Sequence, residues 1–211
     1  MKKLVAPIIL FGITAFFFVG CKDKLITTYY DSGEKFEEFQ YTGDLIKHGV
    51  YRRYSPKGIL IESSNYINGQ LQGERIIYNF DSGVKEISEI YRNDILNGRH
   101  IVFHSNGEMK SLGVYDNNVL SGPVKFYDTS GMLTEEFQFV NNFEVIPFKE
   151  FHENGSIKWE GTKRYDHFTG LKRDYGLLKE YNEDGVLVRK IMCDENEVCK
   201  TTWILKNTSS E

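Results

Sequence analysis

Nowhere in this 211-residue chain do apolar residues recur at helical spacing for three turns, which excludes helical bundles and coiled coils as its architecture. No run of Lys and Arg occurs, and 26 basic against 30 acidic residues give a net charge of −4. A nucleic-acid surface, which needs clustered positive charge, is therefore not expected. The Gly-x-Ser-x-Gly elbow, the phosphate-cradling glycine loop and the dinucleotide fingerprint are all missing. Serines fall chiefly in turns, and the pairs Glu37-Glu38 and Glu135-Glu136 read as solvated carboxylates beside strands. The histidines are His48, His100, His104, His152 and His167. His104 and His152 share one repeat position two units apart, about 19 Å at ~4.8 Å per strand, and His100 and His104 are ~13 Å apart along one strand. Neither pair can share a metal. No enzymatic activity, no metal and no cofactor are expected.

What the chain does contain begins at its N-terminus. Lys2 and Lys3 precede Leu4 to Gly20, which carry no charge, and the sequence turns polar at Lys22-Asp23-Lys24. A basic start, an apolar core and a small residue before a cut site describe a signal peptide. The alternative is a transmembrane anchor, because 17 uncharged residues lie at the lower limit of a span. The segment Phe18-Val19-Gly20-Cys21 resembles the lipobox of bacterial lipoproteins, with Phe18 where Leu is usual. That resemblance implies lipid on Cys21, and several acyl chains suffice for stable anchoring where one is marginal. Lys22-Asp23-Lys24 partly resembles surface-export tags and reads equally as a solvated linker. Without Lys2 and Lys3 the balance becomes 24 basic against 30 acidic, or −6.

Of three cysteines, assigning Cys21 to lipid leaves Cys193 and Cys199. An even remainder in an oxidising compartment suggests a disulfide, with two free thiols as the alternative. Two cysteines alone fall short of the four ligands of structural zinc.

Internal periodicity dominates the remainder. Turn glycines recur at Gly33, Gly58, Gly83, Gly107, Gly131, Gly155 and Gly185, spaced 25, 25, 24, 24, 24 and 30 residues apart. Asp, Asn or Ser precedes most of them, as turns at positive φ require. An aromatic follows at Tyr41, Tyr66, Tyr91, Tyr115 and Phe139, a second glycine at Gly49, Gly73, Gly98 and Gly122, and another aromatic at Tyr54, Tyr78, Phe103 and Tyr127. Asn68-Gly69 adds a strong hairpin dipeptide. Each unit reads as strand, turn, strand, turn, with strands of about 7 to 8 residues. The fold expected is all-β: an elongated, twisted antiparallel meander of about seven tandem β-hairpin repeats and about fourteen strands. Aromatics at equivalent positions are expected to form a ladder across it. The expected division is a cleaved signal peptide over 1–20, a lipidated cysteine and linker over 21–28, the repeat domain over 29–206 and a disordered tail over 207–211.

This pattern resembles MORN-type repeats, in particular the variant of YwqK-type bacterial proteins, over about residues 29–190. The resemblance implies a scaffold or lipid-binding surface, or an antitoxin component. The later units depart from it: Ile146-Pro147 replaces a glycine, Lys163 and Cys193 stand at aromatic positions, and about six extra residues lie around Tyr165 to Gly176. Those departures read either as capping or as a contact site built on Tyr165, His167, Phe168 and Tyr175. Trp159 and Trp203 read as core or cap.

The function expected is that of a non-enzymatic, monomeric, lipid-anchored protein of the bacterial cell envelope, in the outer membrane at its periplasmic or outer face. Its repeat surface would bind a protein partner. The alternatives are a YwqK-type antitoxin or immunity protein neutralising a toxin, and a glycan- or lipid-binding surface along the aromatic ladder.

Overall fold

A computed structural model describes residues 24–43, 45–139, 145–165 and 172–206. Cys21 and the lipobox, as well as the tail 207–211, lie outside the described residues.

Two turn chemistries alternate along the chain and set its architecture. The first closes each hairpin at a repeat glycine. In residues 30–34 the Tyr30 amide donates to the Glu34 carbonyl and the Gly33 amide to the Tyr30 carbonyl. The same pair of bonds recurs at Ser55/Gly58, His104/Gly107, Asp128/Gly131, His152/Gly155 and Asn182/Gly185, and one residue longer at Asn79/Gly83. Each glycine has φ between +70° and +92°, the left-handed geometry of a glycine bulge. Ladder register shifts beside it, at Tyr29, Tyr54, Tyr78, Phe103, Tyr127, Phe151 and Tyr181. The repeated aromatic is thus the residue that flanks the bulge.

The second chemistry is the two-residue turn with both φ positive, whose twist matches that of the strands it joins. Asn68-Gly69 has φ 51° and 82°, Asn93-Asp94 51° and 65°, and Asn117-Asn118 50° and 64°. Only the first of these carries the glycine that signals such a turn. Asn and Asp fill the other two because their short polar side chains tolerate the left-handed region.

Between these turns run β1 (Lys24–Tyr29), β2 (Lys35–Thr42), β3 (Ile46–Tyr54), β4 (Leu60–Ile67), β5 (Gln70–Leu71), β6 (Gly73–Tyr78), β7 (Lys85–Arg92), β8 (Ile95–Phe103) and β9 (Met109–Asp116). They continue as β10 (Val119–Leu120), β11 (Gly122–Tyr127), β12 (Leu133–Phe139), β13 (Val145–Phe151), β14 (Ile157–Tyr165), β15 (Lys172–Tyr181), β16 (Leu187–Cys193) and β17 (Cys199–Ile204). Every pairing is antiparallel and joins sequence neighbours, with β4 pairing both β5 and β6, and β9 both β10 and β11. The protein is one open antiparallel meander, with an outward edge on β1 and another on β17. Residues 24–28, expected as linker, are strand: Ile26 faces Phe39 and Thr28 faces Glu37 in the ladder. The described strands number seventeen rather than about fourteen, because two arms break in the middle and the array extends further at its start.

The breaks fall just before the second glycine of the unit, at Gly73 and Gly122, whereas in the unbroken β3 and β8 a side chain of the neighbouring strand crosses over that glycine. A Cβ on Gly49 would lie 2.0 Å from Gln40 Oε1, and one on Gly98 would lie 2.7 Å from Ile90 Cβ. Gln40 Oε1 instead accepts the Val50 amide. These positions need glycine for space as well as for conformation.

Cross-strand register sorts the side chains onto two faces. One face carries Tyr51, Ser64, Arg75, Glu89, His100 and Gly113 in the N-terminal units. In the C-terminal units the same row continues as Val124, Phe137, Phe148, Gly161, Leu178 and Ile191. The opposite face holds Ile76, Ser88, Ile101 and Leu112, then Lys125, Glu136, Lys149, Glu160 and Lys179. The apolar row therefore leaves one face at the middle of the array. The fully buried core belongs to the C-terminal units: Phe137 and Ile146 are 1% exposed, Cys193 2%, and Phe148 and Leu178 4%. Burying side chains of this size contributes about 1.5–3 kcal/mol each.

The expected aromatic ladder takes another form. Tyr54, Tyr78, Phe103 and Tyr127 are half-buried. The ring contacts instead join Tyr51 to Tyr66, and Phe137 to Phe126, Phe139 and Phe148. Cross-strand partners on one face lie within ring-contact distance, whereas residues one whole unit apart lie two strands, about 10 Å, from each other.

Candidate functional site

The turn residue ahead of each repeat glycine shows what the histidines do. Asn79, Asp128 and Asn182 turn their side chains onto their own turn amides. Tyr30, His104 and His152 reach the next unit, bonding the carbonyls of Tyr54, Tyr127 and Tyr181 at 2.8, 2.9 and 2.9 Å. His48 accepts the Asn68 amide, and His100 lies 3.5 Å from Glu89. His167 lies outside the described residues. Among the described residues no group of three or more His, Cys, Asp or Glu side chains could hold a metal ion.

Charge on the first face is organised as a chain across the N-terminal strands. Glu62, buried, takes Arg53 at 3.0 Å and Arg75 at 2.8 Å, and Arg75 reaches Glu89 at 3.4 Å. The Lys47 ammonium lies over three rings, 4.1 Å from Tyr51, 5.1 Å from Phe39 and 5.2 Å from Tyr66. Such a cage is already occupied by its own lysine.

Two cavities that bear on the departing units lie over β13 to β17. The first, about 320 Å³, runs across the apolar face: Phe148, Trp159, Leu178 and Ile191 form its floor, Glu150, Asp174 and Arg189 its rim, and Cys199 its end on β17. Register places these residues together, since Glu150 pairs with Trp159, Trp159 with Glu180 and Glu180 with Arg189. Arg189 stacks over Trp159 at 5.4 Å and bonds Glu180 at 2.6 Å. Lys163, standing where the repeat has an aromatic, lies 4.4 Å over Phe148 and bonds Glu150 at 3.2 Å. Lys172 sits 3.4 Å over Phe137, and burial pulls its pKa below the ordinary lysine value, with Glu135 opposing and Lys163 adding to the shift. Aromatic floors roofed by paired cations make this groove apolar at its base and polar at its lip.

The second cavity, about 250 Å³, is polar and lies where β14 and β15 meet the β16–β17 turn: Arg164, Arg173, Asp174, Tyr175, Asp194, Glu195 and Glu197 line it. Tyr175 is half-buried beneath the Arg164 guanidinium, 4.8 Å from its ring. Arg173 pairs with Glu197. Of the expected contact residues, Tyr175 thus lines a cavity, and Tyr165 ends β14 opposite Lys172 in the ladder. His167 and Phe168 lie outside the described residues.

Cys193 and Cys199 face each other at the start of the last hairpin and are bonded, with Cα atoms 4.0 Å apart. Cys193 belongs to the core cluster while Cys199 is exposed on β17, so the bond ties the last strand to the core. The turn between them repeats the hairpin bonds of the other units with Glu197, φ 64°, in the place of glycine. Sequence reasoning expected Trp159 in the core or a cap and missed the groove that it floors. The only signal was the cluster of Phe148, Trp159, Leu178 and Ile191 at alternating strand positions.

Three segments match the MORN repeat variant, residues 47–68, 96–117 and 120–141. The first crosses the Gly58 turn and ends in the two-residue turn Asn68-Gly69; the second begins in the strand after Asn93-Asp94, crosses the Gly107 turn and ends in Asn117-Asn118. The match and the geometry thus frame the same unit. A search of curated proteins found no significant match.

Proposed function

We propose that this chain is a non-enzymatic binding module of the bacterial envelope, held at a membrane by lipid on Cys21, whose β-repeat surface engages a protein partner. The carrying observation is the groove over Phe148, Trp159, Leu178 and Ile191, an apolar floor with a charged rim on an open sheet face. Such concave apolar ground with few polar groups is the usual setting of recognition, and a floor tryptophan beneath a rim arginine matches the residue types of interface anchors. The lipobox-like Val19-Gly20-Cys21 supports the anchor, and the YwqK-like pattern makes a toxin one candidate partner. The half-buried Tyr54, Tyr78, Phe103 and Tyr127 lend no support to a glycan surface along those rings.

The test is site-specific photocrosslinking in intact envelopes, with the probe at Glu150 or Arg189 in the groove and at Arg99 as a remote control. A discrete protein adduct from the groove and none from the control is expected, and no groove adduct from a folded, membrane-bound protein overturns the reading. If the captured protein is a toxin encoded beside this chain, rescue by co-expression identifies the module as an immunity protein. Cys21→Ser is expected to move the protein from the membrane fraction to the soluble one, and unchanged fractionation refutes the lipid anchor.

A further inference from the structure

The last strand of the sheet is exposed along its whole length. All residues of β17 are solvent-exposed, and Trp203, Ile204 and Leu205 remain 39%, 59% and 41% accessible. β17 pairs with β16 on one side and with no described strand on the other. Unpaired amides and carbonyls along an edge are a template for a further strand. Register assigns the side chains beside that edge to two chemistries. On the groove side stand Cys199, Thr201 and Ile204, opposite Cys193, Ile191 and Arg189. The groove reaches the edge there, with Cys199 at its end. On the other side stand Lys200 and Trp203, opposite Met192 and Lys190.

Charge decides what fits. Lys190 lies 5.7 Å over Trp203, while Lys190, Lys200 and Lys206 form no ion pair among the described residues. The acidic side chains nearest in sequence are committed or lie at the turn. Asp194 caps the Asn196 and Val198 amides, Glu197 pairs with Arg173, and Glu195 lines the polar cavity at the hairpin's other end. Along its length β17 thus presents uncompensated positive charge on one face and the mouth of an apolar groove on the other. A second copy of this edge would set lysines against lysines. β1, with Lys24 at its start and no carboxylate, offers no better match.

We infer that β17 accepts an extended acidic segment of a partner protein as an added strand, with carboxylates on the side of Lys190 and Lys200 and apolar side chains entering the groove past Cys199. Main-chain hydrogen bonds would supply affinity and the alternating side chains specificity. The inference rests on the partner-binding reading above and specifies its edge and its chemistry.

The probe is a capped peptide of about six residues alternating glutamate and valine, titrated against the full chain. Amide hydrogen exchange over 200–205 and tryptophan fluorescence are the readouts. Slowed exchange confined to β17 is expected, with at least tenfold weaker binding of the lysine–valine peptide and of the glutamate–valine peptide N-methylated at alternate residues. The exposed variant Lys200→Glu is expected to abolish the preference for the acidic peptide. Absence of protection at about 1 mM peptide, equal binding of acidic and basic peptides, or protection of β17 through self-association in the absence of peptide each overturns the inference. A groove adduct in envelopes with no peptide effect sinks the edge alone, whereas loss of both sinks the wider reading.

Discussion

The two halves of the array hold themselves together differently. From β2 to β9 the glycine and two-residue turns repeat closely, yet few side chains are fully buried there; among them are Tyr51, Leu71 and the polar Ser55, Glu62, Ser64 and Ser88. Apolar residues are divided between both faces, and the centre of one face is given to the Arg53–Glu62–Arg75–Glu89 chain. From β11 to β17 the repeat departs from its sequence pattern. The apolar residues nevertheless converge on one face, around Phe137, Ile146, Phe148 and Leu178. Regular sequence makes regular turns, while burial follows from which face the large side chains share. The irregular units thus carry the core, and the groove that lies beside it.

The largest expected effect tests that contrast directly. Phe137→Ala, which opens a cavity among Phe126, Phe139 and Phe148, is expected to cost about 3–5 kcal/mol, against about 1 kcal/mol for Ile76→Ala on the half-buried N-terminal face. Because stability in such arrays sums over neighbouring units, exchange protection of β13 to β16 should fall first in Phe137→Ala while β3 and β4 keep theirs. Uniform loss of protection from β2 to β16 would show that the two halves fold as one unit.

Second in size is a pair of glycines, one in each region. A Cβ on Gly161 would meet Leu178 Cδ2 at 2.6 Å and the Leu177 carbonyl at 2.8 Å, whereas one on Gly113 would meet only Leu120 Cδ1 at 3.1 Å and Val124 Cγ2 at 3.6 Å. Backbone cannot yield as a leucine methyl can. Gly161→Ala is expected to cost about 1–3 kcal/mol by overpacking and Gly113→Ala well under that, measured as denaturation midpoints. Equal costs would mean that the C-terminal core relaxes as freely as the N-terminal sheet.

The disulfide comes next. Closing so short a loop is worth about 2 kcal/mol on the chain-entropy account. Cys199→Ser, which leaves Cys193 in the core as a thiol, should destabilise by about that amount and loosen β17 and β16 before β15. A loss spread to β3 and β4 would contradict the separation of the halves.

How much of this could be read from the chain follows from where each signal resides. Glycine turns and their flanking aromatics are local, and Gly33 to Gly185 marked all seven of those hairpins. Asn93-Asp94 and Asn117-Asn118 carry the same backbone conformation as Asn68-Gly69 but lack glycine, so only their phase in the repeat betrayed them. β1 was read as linker because a strand of Lys24–Tyr29 has no turn before it and gains its reality from β2. The core was harder still. Strand alternation defines a face only within a strand, and the ladder register slips by two residues beside Gly49, Gly98 and Gly161. Summing those shifts needs the ladder itself, and the groove floored by Trp159 is a product of the sum. Tyr175, expected from the insertion as a contact residue, lines the polar cavity.

One device is common to both halves and should give the smallest effect and no contrast. In the N-terminal region Glu38 accepts from Lys35 at 3.0 Å and from the Tyr54 hydroxyl at 2.8 Å. In the C-terminal region Glu160 accepts from Lys179 at 2.8 Å and from the Tyr181 hydroxyl at 2.7 Å. The lysine hydrogen bond, then the tyrosine's, holds each carboxyl below its ordinary value of 4.5. A carboxylate lowered in the folded state contributes stability that is complete above its unfolded pKa and is lost as pH falls through the folded one. Both lysines are largely exposed, so each contribution is held to under about 1 kcal/mol by solvent. Glu38→Gln and Glu160→Gln should each flatten the acid limb of stability below about pH 4.5 by a similar amount, with little difference between them, as read from urea midpoints across that range. A marked asymmetry would show that the C-terminal core strengthens its surface ion pairs as well as its packing.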